Sequence, residues 1–98
     1  MSERVRGVVI CVAAPGNADA VRQIIVDNAE ANRSAPGCLE FGVHVDRADG
    51  HRIVLVEEWE SQELLDAHLA GEGIAKILAQ VGPLLTAEPT VLHMNRIA

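Results

Sequence analysis

The chain has 98 residues and a formal charge of −6, with 49% hydrophobic residues but one Phe, one Trp and no Tyr. That length holds one domain, 1–98, and folding should remove roughly 64% of the unfolded chain's surface from water. The negative balance leaves no basic stripe for nucleic acid and disfavours an anionic membrane, and no apolar run reaches the ~20 residues of a membrane span. The start, Met1-Ser2-Glu3-Arg4-Val5-Arg6, has no long apolar secretory region, so a cytoplasmic protein is expected. Cys11 and Cys38 stand far apart in apolar surroundings, which predicts two reduced, packed thiols and no zinc site.

Val5 to Val12 carries a β-branched run and reads as a first strand, ended by Pro15-Gly16. Val21, Ile24, Ile25 and Asn28 fall at i, i+3, i+4 and i+7, which predicts a helix from Ala18 to Ser34 with a polar residue at the end of its stripe. Pro36-Gly37 closes it. Cys38 to Val45 alternates, with Leu39, Phe41, Val43 and Val45 on one face. Asp49-Gly50 marks a hairpin turn, and Arg52 to Trp59 follows as a strand that is apolar on both faces at its start. Ser61 caps a helix whose pattern (Leu64, Leu65, His68, Leu69, then Ile74, Ile77, Leu78, Val81) is interrupted by Gly71 and Gly73. Gly82-Pro83 ends it, and Thr90 to Ile97 reads as a last strand.

The order is β-α-β-β-α-β, the ferredoxin-like split βαβ pattern of the α+β class, with a four-stranded antiparallel sheet and helices on one face. The other face carries apolar side chains and needs a cover. A homodimer joined sheet to sheet answers that need.

Trp59 ends the third strand and is either a core residue or the flat wall of an aromatic pocket. His68, on the following helix, can share a cavity with it and exchange a proton near neutral pH, or can simply satisfy a backbone carbonyl. His44 and His93 are strand residues, either exposed or reaching a cleft. Asn95 and Arg96 point to opposite faces, so one of them can enter a cavity and hold an anionic oxygen. Glu57, Glu58 and Glu60 surround Trp59, and a buried member with a raised pKa could act as a base, but the sequence does not select one. Neither HExxH nor a phosphate-binding glycine loop occurs, so no metal or nucleotide cofactor is indicated.

Three segments carry a family likeness: Ala35-Pro36-Gly37-Cys38-Leu39-Glu40-Phe41, Val56-Glu57-Glu58-Trp59-Glu60-Ser61 and Leu65-Asp66-Ala67-His68-Leu69. In this order and spacing they resemble the antibiotic biosynthesis monooxygenase domain family over nearly the whole chain. The resemblance implies ferredoxin-like monomers whose sheets meet in a dimeric α/β barrel, with the C-terminal region of one subunit reaching the other. It implies a family that includes oxygenases needing no cofactor, quinol oxidases, haem-degrading enzymes and a sugar-phosphate isomerase. The family's pocket Trp falls on Trp59 and its helix His on His68. Haem-degrading relatives carry an Asn on the first strand, where this chain reads Val8-Val9-Ile10-Cys11-Val12. The pocket Tyr of polyketide-tailoring relatives has no counterpart, and the residues after His68 read Ala70-Gly71-Glu72-Gly73-Ile74.

The expected activity is oxidation of a small quinol, phenol or anthrone-like ring by O₂. Trp59 and His68 are the expected catalytic pair; Trp59, Phe41, His44, His93, Asn95 and Arg96 are the expected ligand-binding set. Alternatives are a proton-transfer isomerase in the same cavity and a non-catalytic dimeric ligand-binding module. Few cationic residues are available to anchor a phosphorylated substrate.

Overall fold

The computed structural model describes residues 3–98. Strands β1 (Val5–Val12), β2 (Cys38–Val45), β3 (Arg52–Trp59) and β4 (Thr90–Met94) form one sheet in the order β2-β3-β1-β4. Every neighbouring pair is antiparallel. Helices α1 (Ala18–Asp27), α2 (Ala29–Arg33), α3 (Gln62–Leu69) and α4 (Glu72–Val81) complete the chain, with a short 3₁₀ turn at Gly82–Leu84. Among the described residues no helix is long and apolar enough to cross a membrane.

The expected element order stands, but both helical segments are broken. The segment from Ala18 kinks at Asn28, whose side-chain amide donates to the carbonyl of Ile24 at 2.7 Å. That bond competes with the backbone ladder at the very position where the apolar stripe turns polar. The second segment breaks at Gly71, which takes an extended conformation and starts α4. Ser61 caps α3 as expected, its hydroxyl accepting from the Leu64 amide. Strand β4 stops at Met94, three residues before the expected end, which leaves Asn95, Arg96 and Ile97 outside the sheet.

The helices cover one sheet face. That face holds Val5, Gly7, Val9 and Cys11 from β1 and Ile53, Leu55, Glu57 and Trp59 from β3. Its two ends are solid. Ala13, Val21, Ile25, Ile53 and Val81 form one core, and Val5, Trp59 and Leu65 form the other. On β2 a bulge between Cys38 and Glu40 shifts the register, so Leu39 is exposed and Cys38, paired with Trp59, packs on the helix face ahead of Phe41. The expected run of four aligned apolar residues is therefore shortened to Phe41, Val43 and the strand-end Val45.

Two glycines have φ of +85°, a left-handed conformation that L-residues with a Cβ resist. A Cβ on Gly16 meets nothing within 4 Å, whereas one on Gly37 would lie 2.6 Å from Cδ1 and 2.8 Å from Cβ of Leu64. Gly16→Ala should therefore cost about 1 kcal/mol, the backbone term alone. Gly37→Ala should cost about 3 kcal/mol, because overpacking against α3 adds to it. Urea denaturation of the two variants reads the difference; equal costs would show that α3 moves aside freely.

Candidate functional site

Between the two cores the helix face of the sheet is hollow. The cavity has a volume of about 510 Å³ and is mostly apolar. Its floor is two rungs of the sheet. In one, Phe41, Glu57, Gly7 and His93 lie side by side across all four strands; in the next, Val43, Leu55, Val9 and Val91 do so. Of these eight residues, only Val43 is not part of the lining. Leu65 and Leu69 of α3 and Ile74, Ile77 and Leu78 of α4 form the opposite wall.

Glu57 is the charged group of that floor and is 7% exposed. Its Oε1 accepts a hydrogen bond from the indole N–H of Trp59 at 2.9 Å. Both residues lie on the helix face of β3, two positions apart, so the strand period itself makes this pair. Burial pushes the Glu57 carboxyl above the ordinary glutamate range; the indole bond and the nearby His93 imidazole pull the other way and do not cancel it.

Trp59 has no exposed surface and does not line the cavity. The structure thus corrects the expectation of a stacking wall. The indole ring packs on His68, with centroids 4.7 Å apart and planes tilted by 33°. His68 turns away from the main cavity into a side chamber of about 290 Å³, lined also by Asn32, Gly71 and Gly73. Its Nε2 bonds Oδ1 of Asn32 at 2.8 Å. The Asn32 amide donates to the carbonyl of Asn28, which leaves its oxygen as the acceptor, so His68 carries hydrogen on Nε2. Burial lowers its pKa and favours the neutral ring. Asn28 and Asn32 line both chambers and form part of the partition between them.

The other expected ligand residues separate. Phe41 and His93 line the cavity. His44 pairs with Val54 on the opposite sheet face, with its ring over Gly42. Asn95 and Arg96 are exposed beyond β4, and neither lines the cavity; Arg96 donates to the carbonyl of Ala98. Glu57 was one of three equivalent carboxylates in the sequence, and only the strand register distinguishes it: Glu58 faces the other side and pairs with Arg6 at 3.5 Å, and Glu60 lies past the strand. Cys11 lines the cavity and Cys38 is half-buried; both thiols are unpaired and are pushed up by burial. Among the described residues no group of three or more His, Cys, Asp or Glu converges as a metal site.

Residues 11–80 match the model of the family described as antibiotic biosynthesis monooxygenase. The chain belongs to that family. Solved structures agree over its full length. A Pseudomonas aeruginosa protein shares 26% identity at a TM-score of 0.90, covering 100% of this chain and 98% of that one. A Chloroflexus aurantiacus protein shares 28% at 0.81, covering 98% and 95%. A crystal structure of an antibiotic biosynthesis monooxygenase superposes at 0.89 with 24% identity, covering 96% and 99%. No match is found among curated proteins. The family segment takes in Phe41, Glu57, Trp59 and His68 and ends before His93.

Because burial raises the Glu57 pKa, this carboxyl favours folding while protonated, and that contribution fades as pH rises through its folded-state value. Glu57→Gln keeps an acceptor for the indole without the charge. Its Tm should exceed the parent's at neutral pH, and the gap should close as pH falls below the ordinary glutamate range. Thermal melts across pH measure this; a lower Tm at neutral pH would show that the carboxylate is a net stabiliser.

Proposed function

We propose that the protein is an oxygenase that needs no cofactor and oxidises a small phenol, quinol or anthrone-like ring with O₂, with Glu57 as proton acceptor. The supporting observation is a lone buried carboxylate, held by an indole N–H, in the floor of an apolar cavity large enough for such a ring. A carboxyl held above its ordinary pKa is a stronger base once ionised, and its titration moves towards working pH. Family membership supports the reaction class.

For an anthrone-like ring the chemistry balances with O₂ as the only oxidant. Glu57 removes a proton from the activated carbon of the ring, leaving a delocalised anion. That anion passes one electron to O₂, and the resulting superoxide and ring radical combine at the same carbon. The peroxide takes the proton back from Glu57. The O–O bond and the remaining C–H bond then break, leaving a carbonyl and releasing water. A CH₂ group and O₂ become C=O and H₂O. The protein binds the ring, accepts and returns one proton and keeps bulk water away from the anion.

Trp59 is then a positioning residue for Glu57, and His68 supports Trp59 from behind. No Lys or Arg lines the cavity, which disfavours the isomerase alternative on a phosphorylated substrate. With an anthrone, O₂ uptake should match quinone formation one to one. Glu57→Gln should lower kcat/KM by about 10²-fold or more, while His68→Asn lowers it by about tenfold or less. Uptake unchanged in Glu57→Gln would sink the reading.

The assembly belongs to the same proposal. The uncovered sheet face presents Val8, Ile10, Val54, Val56, Leu92 and Met94, bordered by Arg6, Glu40 and Glu58 in ion pairs. The single chain exposes 6313 Å², against about 5,400 Å² expected for a monomer of this mass. A second copy covering that face supplies the difference. The parent should sediment as a dimer and Val56→Asp as a monomer; a monomeric parent would overturn the assembly.

A further inference from the structure

The rung Phe41-Glu57-Gly7-His93 has a gap at its centre. Gly7 pairs with Glu57 on one side and with His93 on the other, and all three point towards the helices or line the cavity there. Neighbouring strands are about 4.8 Å apart, so the backbones of Glu57 and His93 stand about 10 Å apart across Gly7. A Cβ on Gly7 would meet one atom within 4 Å, the Cβ of Glu57 at an ordinary 3.7 Å. The protein leaves this position empty although nothing nearby would clash with a methyl group. The absent side chain is part of the cavity.

His93, exposed on the edge strand, lines the cavity across that gap with its Nδ1 beside the Gln62 amide. The Gln62 amide nitrogen donates to Asp66 at 2.8 Å and lies 3.3 Å from Nδ1 of His93. A carboxylate only accepts, so the group beside it is the NH₂, and its second hydrogen points at Nδ1. With Nδ1 as the acceptor of that contact, the ring hydrogen falls to Nε2, which is then a donor. The floor of a mostly apolar chamber, also lined by Asn28, Asn32 and the exposed Glu88, thus offers an acceptor and a donor on opposite sides of a bare backbone.

We propose that Gly7 is the recognition position for the ring, which lies flat over it with its reacting carbon at Glu57 and a ring oxygen on the opposite edge at Nε2 of His93. The ligand class is an aromatic ring whose oxygen lies across from the carbon that loses the proton. When the proton leaves, the charge moves through the ring to that oxygen, and the His93 donor meets it there. His93 touches the substrate; Gln62 positions His93. This rests on the oxygenase reading but is tested without turnover.

The probe is anthrone under argon, followed by its fluorescence on binding and by the absorbance of its enolate. Gly7→Ala, whose added methyl has room in the fold, should weaken binding by about tenfold or more. His93→Leu should retain binding and reduce the enolate band by about tenfold. Binding and enolate signals within about twofold of the parent in both variants would overturn the proposal, as would a parent that binds no anthrone. The oxygenase reading fails separately, through O₂ uptake that ignores Glu57→Gln in air. Gln62→Leu adds a positioning check: it should diminish the enolate band and leave anthrone affinity in place.

Discussion

The burial of one carboxylate governs the rest of this site. Glu57 sits where β3 crosses the hollow between two solid cores, and water cannot solvate it fully. A buried charge without a partner is costly, and the fold answers with a single neutral donor, the indole of Trp59. An arginine there would have pinned the carboxylate ionised at low pKa and made it a poor base. A neutral donor orients it and leaves its affinity for a proton high. Trp59 must then stay fixed, and it does, enclosed by Val5 and Leu65 and stacked on His68.

Much of the fold was legible from period and punctuation. Alternation placed β1, β2 and β3, and Pro36-Gly37, Ser61 and Gly82-Pro83 marked the boundaries that the structure uses. The breaks at Asn28 and Gly71 were visible only as lapses in a pattern. Asn28 interrupts its helix through a hydrogen bond to Ile24 that depends on side-chain direction, which spacing does not specify. The bulge at Cys38 and Glu40 is a register event between strands, invisible in either strand alone.

The candidate site was less legible because Trp59, His68 and the three carboxylates each admit a structural and a chemical role that spacing alone does not separate. Trp59 and His68 are in ring contact, yet neither lines the main cavity. The signal for Glu57 was present in the strand: it shares the parity of Ile53, Leu55 and Trp59, and a carboxylate at that parity had to be buried. Gly7 left no comparable mark. Its importance comes from what stands beside it on two other strands, a relation set by pairing across more than forty residues of chain on each side. His44 and His93 look alike in sequence and differ only in which sheet face their registers select.

With one tryptophan and no tyrosine in 98 residues, the near-ultraviolet absorption of the protein comes almost entirely from the indole of Trp59. That chromophore lies a single hydrogen bond from the carboxylate and in ring contact with His68. The molecule therefore carries its own optical probe at its most sensitive point. A proton gained by Glu57 or a charge appearing on His68 changes the electric field at the only strong emitter, so titration of the site is written directly into the protein's intrinsic spectrum, with no label and no background from elsewhere in the chain.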